Sequence, residues 1–306
     1  MTSDRSQQGR RRIGVMFDRD RQPEELRPFA REVEDLGVDD LWVVEDLAWA
    51  GAMSSAALAL AATERLRVGI GIAPAPLRNP ALLAMELAML ERVFPGRLIA
   101  GIGHGAPEWM AQVGAGTPRK LALLEETIAA VKALLRGETL TVAGQTVRID
   151  GVRLVHPPAA APPVVAGVVR PRSLELSGRV ADGTVIAEGQ GPREVEAALR
   201  HIRKGANAGA GEAGTPPHEV VVFTHLCVGD DPERVAAATA PIVEEYMGWL
   251  KVPADEVFLA AGPVATAAER IRSLWDAGAD TVVLRPVGED PAGQVRAALA
   301  ELGRVV

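Results

Sequence analysis

Gly103-His104-Gly105 follows directly on the apolar run Leu98-Ile99-Ala100-Gly101-Ile102, and this junction has residue types suited to chemistry. The run lacks polar alternation, as a strand buried on both faces of a parallel sheet does. Residues just past the C-terminal end of such a strand stand where α/β enzymes hold ligands. The glycines let backbone amides approach an anion, and an imidazole between them titrates near neutral pH. His104 is therefore a candidate phosphate donor or proton donor. Glu108, four residues on, is a second candidate acid. Other apolar runs also end in polar side chains: Asp18, Glu45, Asp46, Glu188 and Arg285. Adjacent carboxylates on extended backbone point to different sides, so Glu45 and Asp46 do not form a coupled dyad. No metal site is expected, because His104, His156, His201, His218 and His225 lie far apart and no HxxE or CxxC spacing occurs. No GxSxG elbow is present to build a serine hydrolase.

The elements that must position these residues alternate in period. Strand-like runs begin near Ile13, Asp40, Leu66, Leu98, Val164, Thr184, Val220 and Thr281, and helical patterns separate them. One helix is predicted over Pro80 to Phe94, opened by an Asn79 cap and ended by Pro95-Gly96. Leu82, Leu83, Leu87, Leu90 and Val93 are its expected apolar face. Another helix is predicted over Asp255 to Trp275. Thr139 to Val155 breaks the alternation and reads as an antiparallel excursion with turn glycines Gly144 and Gly151. Eight strand-helix units are the count of a (β/α)8 TIM barrel with an insertion after the fourth helix. A doubly wound sheet is disfavoured because no GxGxxG follows the first strand. Gly69 and Gly71 interrupt the third strand; they either pack closely against a helix or mark a bulge that brings backbone against a flat ligand.

Composition narrows the function classes. At 306 residues and 48% hydrophobic the chain can bury a large core, and Leu, Val, Ile and Ala must fill it because aromatics total 4%. The formal net charge of −7 argues against a nucleic-acid partner. The basic cluster Arg10-Arg11-Arg12 reads as part of a solvated tail over residues 1–12, with one barrel domain over 13–306. No apolar run approaches the ~20 residues of a membrane span. One cysteine, Cys227, excludes an internal disulfide and fits a reducing cytoplasm, where the protein is expected.

The stretch GIGIAPAPLRNP, the helix AMELAMLE, then PGR and GIGHGxxEWMxQVGA together resemble the luciferase-like monooxygenase superfamily of flavin-dependent oxidoreductases. Within it they are most similar to the branch that uses the deazaflavin coenzyme F420. A second matching block is VADGTVIAEG, Val180 to Gly189. The resemblance implies hydride transfer between F420 and a small organic substrate, on a barrel that forms a homodimer. FMN with molecular oxygen is the alternative, and a barrel that binds ligand without turnover is the third reading. The resemblance also implies a cis Gly71-Ile72 peptide in a bulge, with Gly71, Ile72 and Ala73 backing the coenzyme ring. The phosphate would lie between Gly103-His104-Gly105 and Gly167-Val168-Val169-Arg170. Asp46 would meet the ring, and Glu45, His104 and Glu108 are the catalytic candidates. The chain departs from the pattern in three places: Glu45-Asp46 replaces an Asp-His pair, Ala106 stands where some relatives have an acidic donor, and Val169-Arg170 replaces glycine.

Overall fold

The structure is a computed structural model and describes residues 11–209 and 218–304. The chain opens with β1 (Arg12–Met16), α1 (Leu26–Asp35), β2 (Asp40–Val43), α2 (Ala52–Ala62), β3 (Arg67–Pro74), α3 (Pro80–Val93) and β4 (Leu98–Gly103). Two helices follow, α4 (Pro107–Gln112) and α5 (Lys120–Leu135), then the antiparallel hairpin β5 (Leu140–Ala143) and β6 (Arg148–Val152). Alternation resumes with β7 (Val164–Gly167), α6 (Pro171–Val180), β8 (Gly183–Ile186), α7 (Pro192–Gly209), β9 (Glu219–Val228) and α8 (Pro232–Leu250). Last come β10 (Ala260–Gly262), α9 (Val264–Asp276), β11 (Thr281–Pro286) and α10 (Pro291–Glu301). Strands pair in parallel in the order β9-β11-β1-β2-β3-β4-β7-β8, and β8 pairs back onto β9. The sheet is a closed eight-stranded (β/α)8 barrel. Among the described residues no helix is long and apolar enough to cross a membrane.

Strand alternation divides the core in two. Outward side chains pack under the helices in one large cluster, while Met16, Trp42, Ile99, Val165, Phe223 and Val283 meet inside the barrel. Trp42 and Phe223 cross edge to face with ring centres 5.2 Å apart. These two rings explain the third-strand glycines. A Cβ on Gly69 would lie 2.4 Å from the Trp42 indole, and one on Gly71 2.7 Å from Phe223. The close packing is thus against interior aromatics, not against a helix.

The N-terminal ends of the strands are closed by charge. Arg67 grips the fully buried Asp40 through two hydrogen bonds of 2.6 and 2.8 Å and reaches Glu219 at 3.2 Å. Burial outweighs that pairing and pushes the Asp40 carboxyl up from its ordinary range. Arg12 also pairs with Glu219, at 3.3 Å, and Arg11 with Asp276, at 2.6 Å. These arginines belong to the barrel floor and wall; the rest of the expected tail, residues 1–10, lies outside the described residues.

Three sequence expectations are corrected. The helix over Asp255 to Trp275 starts only at Val264, because Gly262 takes a φ of 115° and Pro263 precedes the first turn. The residues before it form β10, which extends the sheet along the upper part of β9. In α3, Leu83, Leu87 and Leu90 face the core, but Leu82 and Val93 lie on the opposite face, more than half exposed. The helix α4 was missed because six residues carry too little periodicity to register.

Candidate active site

Two residues above the interior apolar layer, each strand presents its next inward position at the C-terminal mouth. On β3, β4 and β7 those positions are glycine. The β3–β4 register slips by one residue between Ile70 and Ala73, a bulge, and the Gly71-Ile72 peptide is cis. The bulge carries the Ile72 side chain over the neighbouring strands. A Cβ on Gly167 would stand 2.5 Å from it, and one on Gly103 2.8 Å. Glycine at these positions is therefore a packing requirement. The result is a platform of backbone and Ile72, half-buried at its upper surface.

Beside the platform lies an electropositive sector. His104 Nε2 is 3.0 Å from Ser173 Oγ, which ties the β4 loop to the first turn of α6. Arg170 caps α6 and Pro171 opens it. The first amide to enter the helical ladder is that of Leu174, bonded to the Arg170 carbonyl at 2.9 Å. The amides of Arg172 and Ser173 precede it at the positive end of the helix dipole. The side chains of Lys120, Arg170 and Arg172 are exposed and make no hydrogen bond or ion pair among the described residues. Burial, and then the charge of Lys120, hold the His104 imidazolium below its ordinary pKa.

The opposite half of the mouth is polar and crowded. Asp18, His225 and Arg285 continue the inward rows of Met16, Phe223 and Val283. Arg285 donates to Asp18 at 2.7 Å and to Glu188 at 3.3 Å. Tyr246 stands beside Glu188, and its ring meets His225 with centres 5.5 Å apart. His225 is 2% exposed, and its Nδ1 has no hydrogen-bond partner. Burial lowers its pKa to about 4, so the imidazole is neutral above that pH. Arg19 bonds to Asp46 at 2.6 Å and stacks 4.6 Å above Trp49, whose ring lies 6.1 Å from Trp109.

The sequence-expected residues thus fall into distinct settings. Gly71, Ile72, Ala73, Gly103, His104, Gly105, Gly167, Val168, Val169 and Arg170 come from three adjacent strands and line one half of the mouth. Asp46 is held by Arg19. Both oxygens of Glu45 accept hydrogen bonds from Arg78, which also donates to Glu86 at 2.8 Å, so Glu45 is committed to an ion pair. Asn79 caps α3, its Oδ1 accepting from the Ala81 amide at 2.9 Å. Glu108 sits exposed in the first turn of α4. Sequence reasoning overlooked His225 and Tyr246. The alternation Val221, Phe223, His225 marks His225 as inward-facing, but only once the strand's inner face is known.

A (β/α)8 barrel with a third-strand bulge over a glycine-lined platform, beside an exposed cationic helix terminus, is the architecture the structure defines. The chain belongs to the luciferase-like monooxygenase family, whose match covers residues 4–301. It is 29% identical over 212 residues to a 5,10-methylenetetrahydromethanopterin reductase from Methanolobus tindarius, covering 69% of this chain and 63% of that protein. It is 26% identical over 234 residues to an F420-dependent glucose-6-phosphate dehydrogenase from Nakamurella multipartita, covering 70% of this chain and 66% of that protein. The chain thus spans less than two thirds of the length of these relatives. Among solved structures, an F420-dependent secondary alcohol dehydrogenase superposes with a TM-score of 0.85 at 18% identity, over 96% of this chain and 99% of that one.

Proposed function

We propose that the protein is an F420-dependent oxidoreductase acting on a small organic substrate. The observation that carries this reading is the juxtaposition of the bulged platform with the electropositive α6 terminus. A flat ring fits the first and a phosphate the second, on adjacent strands. Arg170 suits a phosphate in place of the glycine backbone common among relatives. When bound, the coenzyme supplies a ring carbon that gives or takes a hydride.

The chain's own residues do the rest. Gly71, Ile72 and Ala73 would support one face of the ring and leave the other open to substrate. His104 and Ser173 would hold the phosphate, together with the amides of Gly105, Arg172 and Ser173 and the Arg170 guanidinium. Gly103 and Gly167 make room for the Ile72 side chain beneath the ring, Val168 and Val169 would border the phosphate approach, and Asp46 would face the ring. Glu45 acts as a positioning residue through Arg78. Glu108, free of ion pairs among the described residues, is the carboxyl assigned to move a proton to or from substrate.

Titrating F420 fluorescence with the protein tests the assignment. Loss of a charge-assisted hydrogen bond costs ~1.5–3 kcal/mol, roughly ten- to hundred-fold in affinity. Arg170→Ala and His104→Ala should each weaken coenzyme binding within that range, and Arg170→Ala more so at low salt. Unchanged affinity in both variants would put the phosphate elsewhere.

The functional unit is a homodimer in this reading. Leu82, Met85, Met89 and Val93 form an apolar stripe along the outer face of α3, each more than half exposed. A second copy of the chain covering that stripe buries it symmetrically.

A further inference from the structure

Two adjoining clefts open between the hairpin β5–β6 and the helices α3 and α5. One, of about 270 Å³, lies against Arg78, Asn79 and Pro80 at the start of α3 and against Arg148 of β6. The other, of about 410 Å³, lies between Thr117, Pro118 and Arg119 ahead of α5 and Gln145 in the hairpin turn. Leu123 and Thr146 wall both, so the two form one trough. The coenzyme contacts proposed above, on β3, β4, β7 and α6, leave it unused.

The trough is one-sided in charge. Three arginines line it and no acidic residue does, in a chain with 40 Asp and Glu against 33 Lys and Arg. Arg78 is already engaged by Glu45 and Glu86. The other two are uncompensated. Arg148 is exposed, and its side chain makes no ion pair or hydrogen bond among the described residues. The Arg119 guanidinium meets only a backbone carbonyl, that of Gln145, at 3.1 Å. Glu126, the carboxylate beneath the hairpin turn, is committed to the amides of Gln145, Thr146 and Val147. A cleft lined by one sign of charge concentrates ions of the other. The trough also begins close to the proposed phosphate point. Lys120, next in sequence to Arg119, is near enough to His104 for its charge to act on the imidazole. The succession His104, Lys120, Arg119 and Arg148 leads from the phosphate into the trough.

We propose that this trough holds a chain of carboxylates, and that the chain is the glutamate tail of F420. The inference rests on the coenzyme reading for the identity of the chain, and on the unpaired arginines for its place. Each exposed ion pair is worth at most about fivefold in affinity. A tail tethered to a bound ring and phosphate meets the arginines at high effective concentration, so such weak contacts suffice. FMN ends at its phosphate and has nothing to enter the trough.

Fluorescence titration of the full chain with a tail-length series tests the inference: F420 stripped of its glutamates, a short-tailed form and a long-tailed form. The long-tailed form should bind about fivefold or more tightly than the stripped form at low salt, and the gap should close at high salt. Arg119→Gln combined with Arg148→Gln should remove most of the gap. The stripped form's affinity should stay unchanged in that variant, which also shows that it folds. Equal affinity across the series would overturn the inference, as would a gap that survives both substitutions and disappears in Arg172→Gln. A free oligo-γ-glutamate probe identifies the occupant: long-tailed F420 should displace it and stripped F420 should not. Displacement by neither would assign the trough to a different anion and overturn the tail. Stripped F420 that fails to bind, with arginine-dependent binding of the probe retained, would refute the coenzyme reading and keep the trough as a polycarboxylate site. Stripped F420 that binds, with no gain from the tail, would refute this inference alone.

Discussion

His225 illustrates how much of the site is decided by environment. An isolated histidine on an apolar strand has no distinguishing pattern, yet its side chain lies in the polar half of the mouth, nearly free of solvent, with one nitrogen unsatisfied. Its depressed pKa has a direct consequence for stability. Above the ordinary value of 6.5 the imidazole is neutral in folded and unfolded chains alike. Below it the unfolded chain takes up a proton that the folded protein refuses until about pH 4. Stability is therefore full above pH 6.5 and falls as the pH drops to about 4, by roughly 3 kcal/mol for a shift of this size. His225→Gln should flatten that part of the curve in denaturant melts taken at several pH values. An identical pH slope in the variant would mean that His225 is not the group responsible. The position of His104 at the barrel mouth was legible because glycines flank it at a strand end. Glu45 looked equally promising by position, but its commitment to Arg78 depends on a loop 33 residues away and could not be read locally.

At the scale of elements, the hairpin β5–β6 packs Val147 and Ile149 into the core, and one carboxylate holds its turn. Glu126 of α5 accepts hydrogen bonds from the amides of Gln145, Thr146 and Val147 and from the Thr146 hydroxyl, at 2.6 to 2.9 Å. These donors lower its pKa to about 2, so the anchor stays charged down to strongly acidic pH. Glu126→Gln should speed amide hydrogen exchange at residues 145–147 by roughly ten- to hundred-fold, the weight of a charge-assisted hydrogen bond. Protection equal to the parent protein would show that backbone pairing within the hairpin suffices. The hairpin itself was legible from its alternation and turn glycines, and the eight barrel strands from their apolar runs. Short elements were not. The six residues of α4 and the three of β10 carry no period, and β10 exists only because the longer β9 offers it an edge.

At the scale of the whole molecule, the same helix serves two masters. In α3 one apolar row builds the core and another, Leu82 to Val93, faces outward. A pattern that is apolar all round cannot reveal from sequence which row is inside. Met89→Glu places a charge in the middle of the outer row. Light scattering should show a dimer for the parent chain and a monomer for the variant; a monomeric parent would contradict the assembly. The barrel and its glycine platform, in turn, admit either of two flavin-type coenzymes, and both bring a phosphate to the α6 sector; only F420 adds tail carboxylates that the exposed Lys120, Arg170 and Arg172 could meet. In the proposed function this mouth prefers F420 to FMN. Direct competition between F420 and FMN for the protein, followed by F420 fluorescence at fixed ionic strength, measures that preference. F420 should stay bound in the presence of a several-fold excess of FMN; displacement of F420 by equimolar FMN would overturn the assignment.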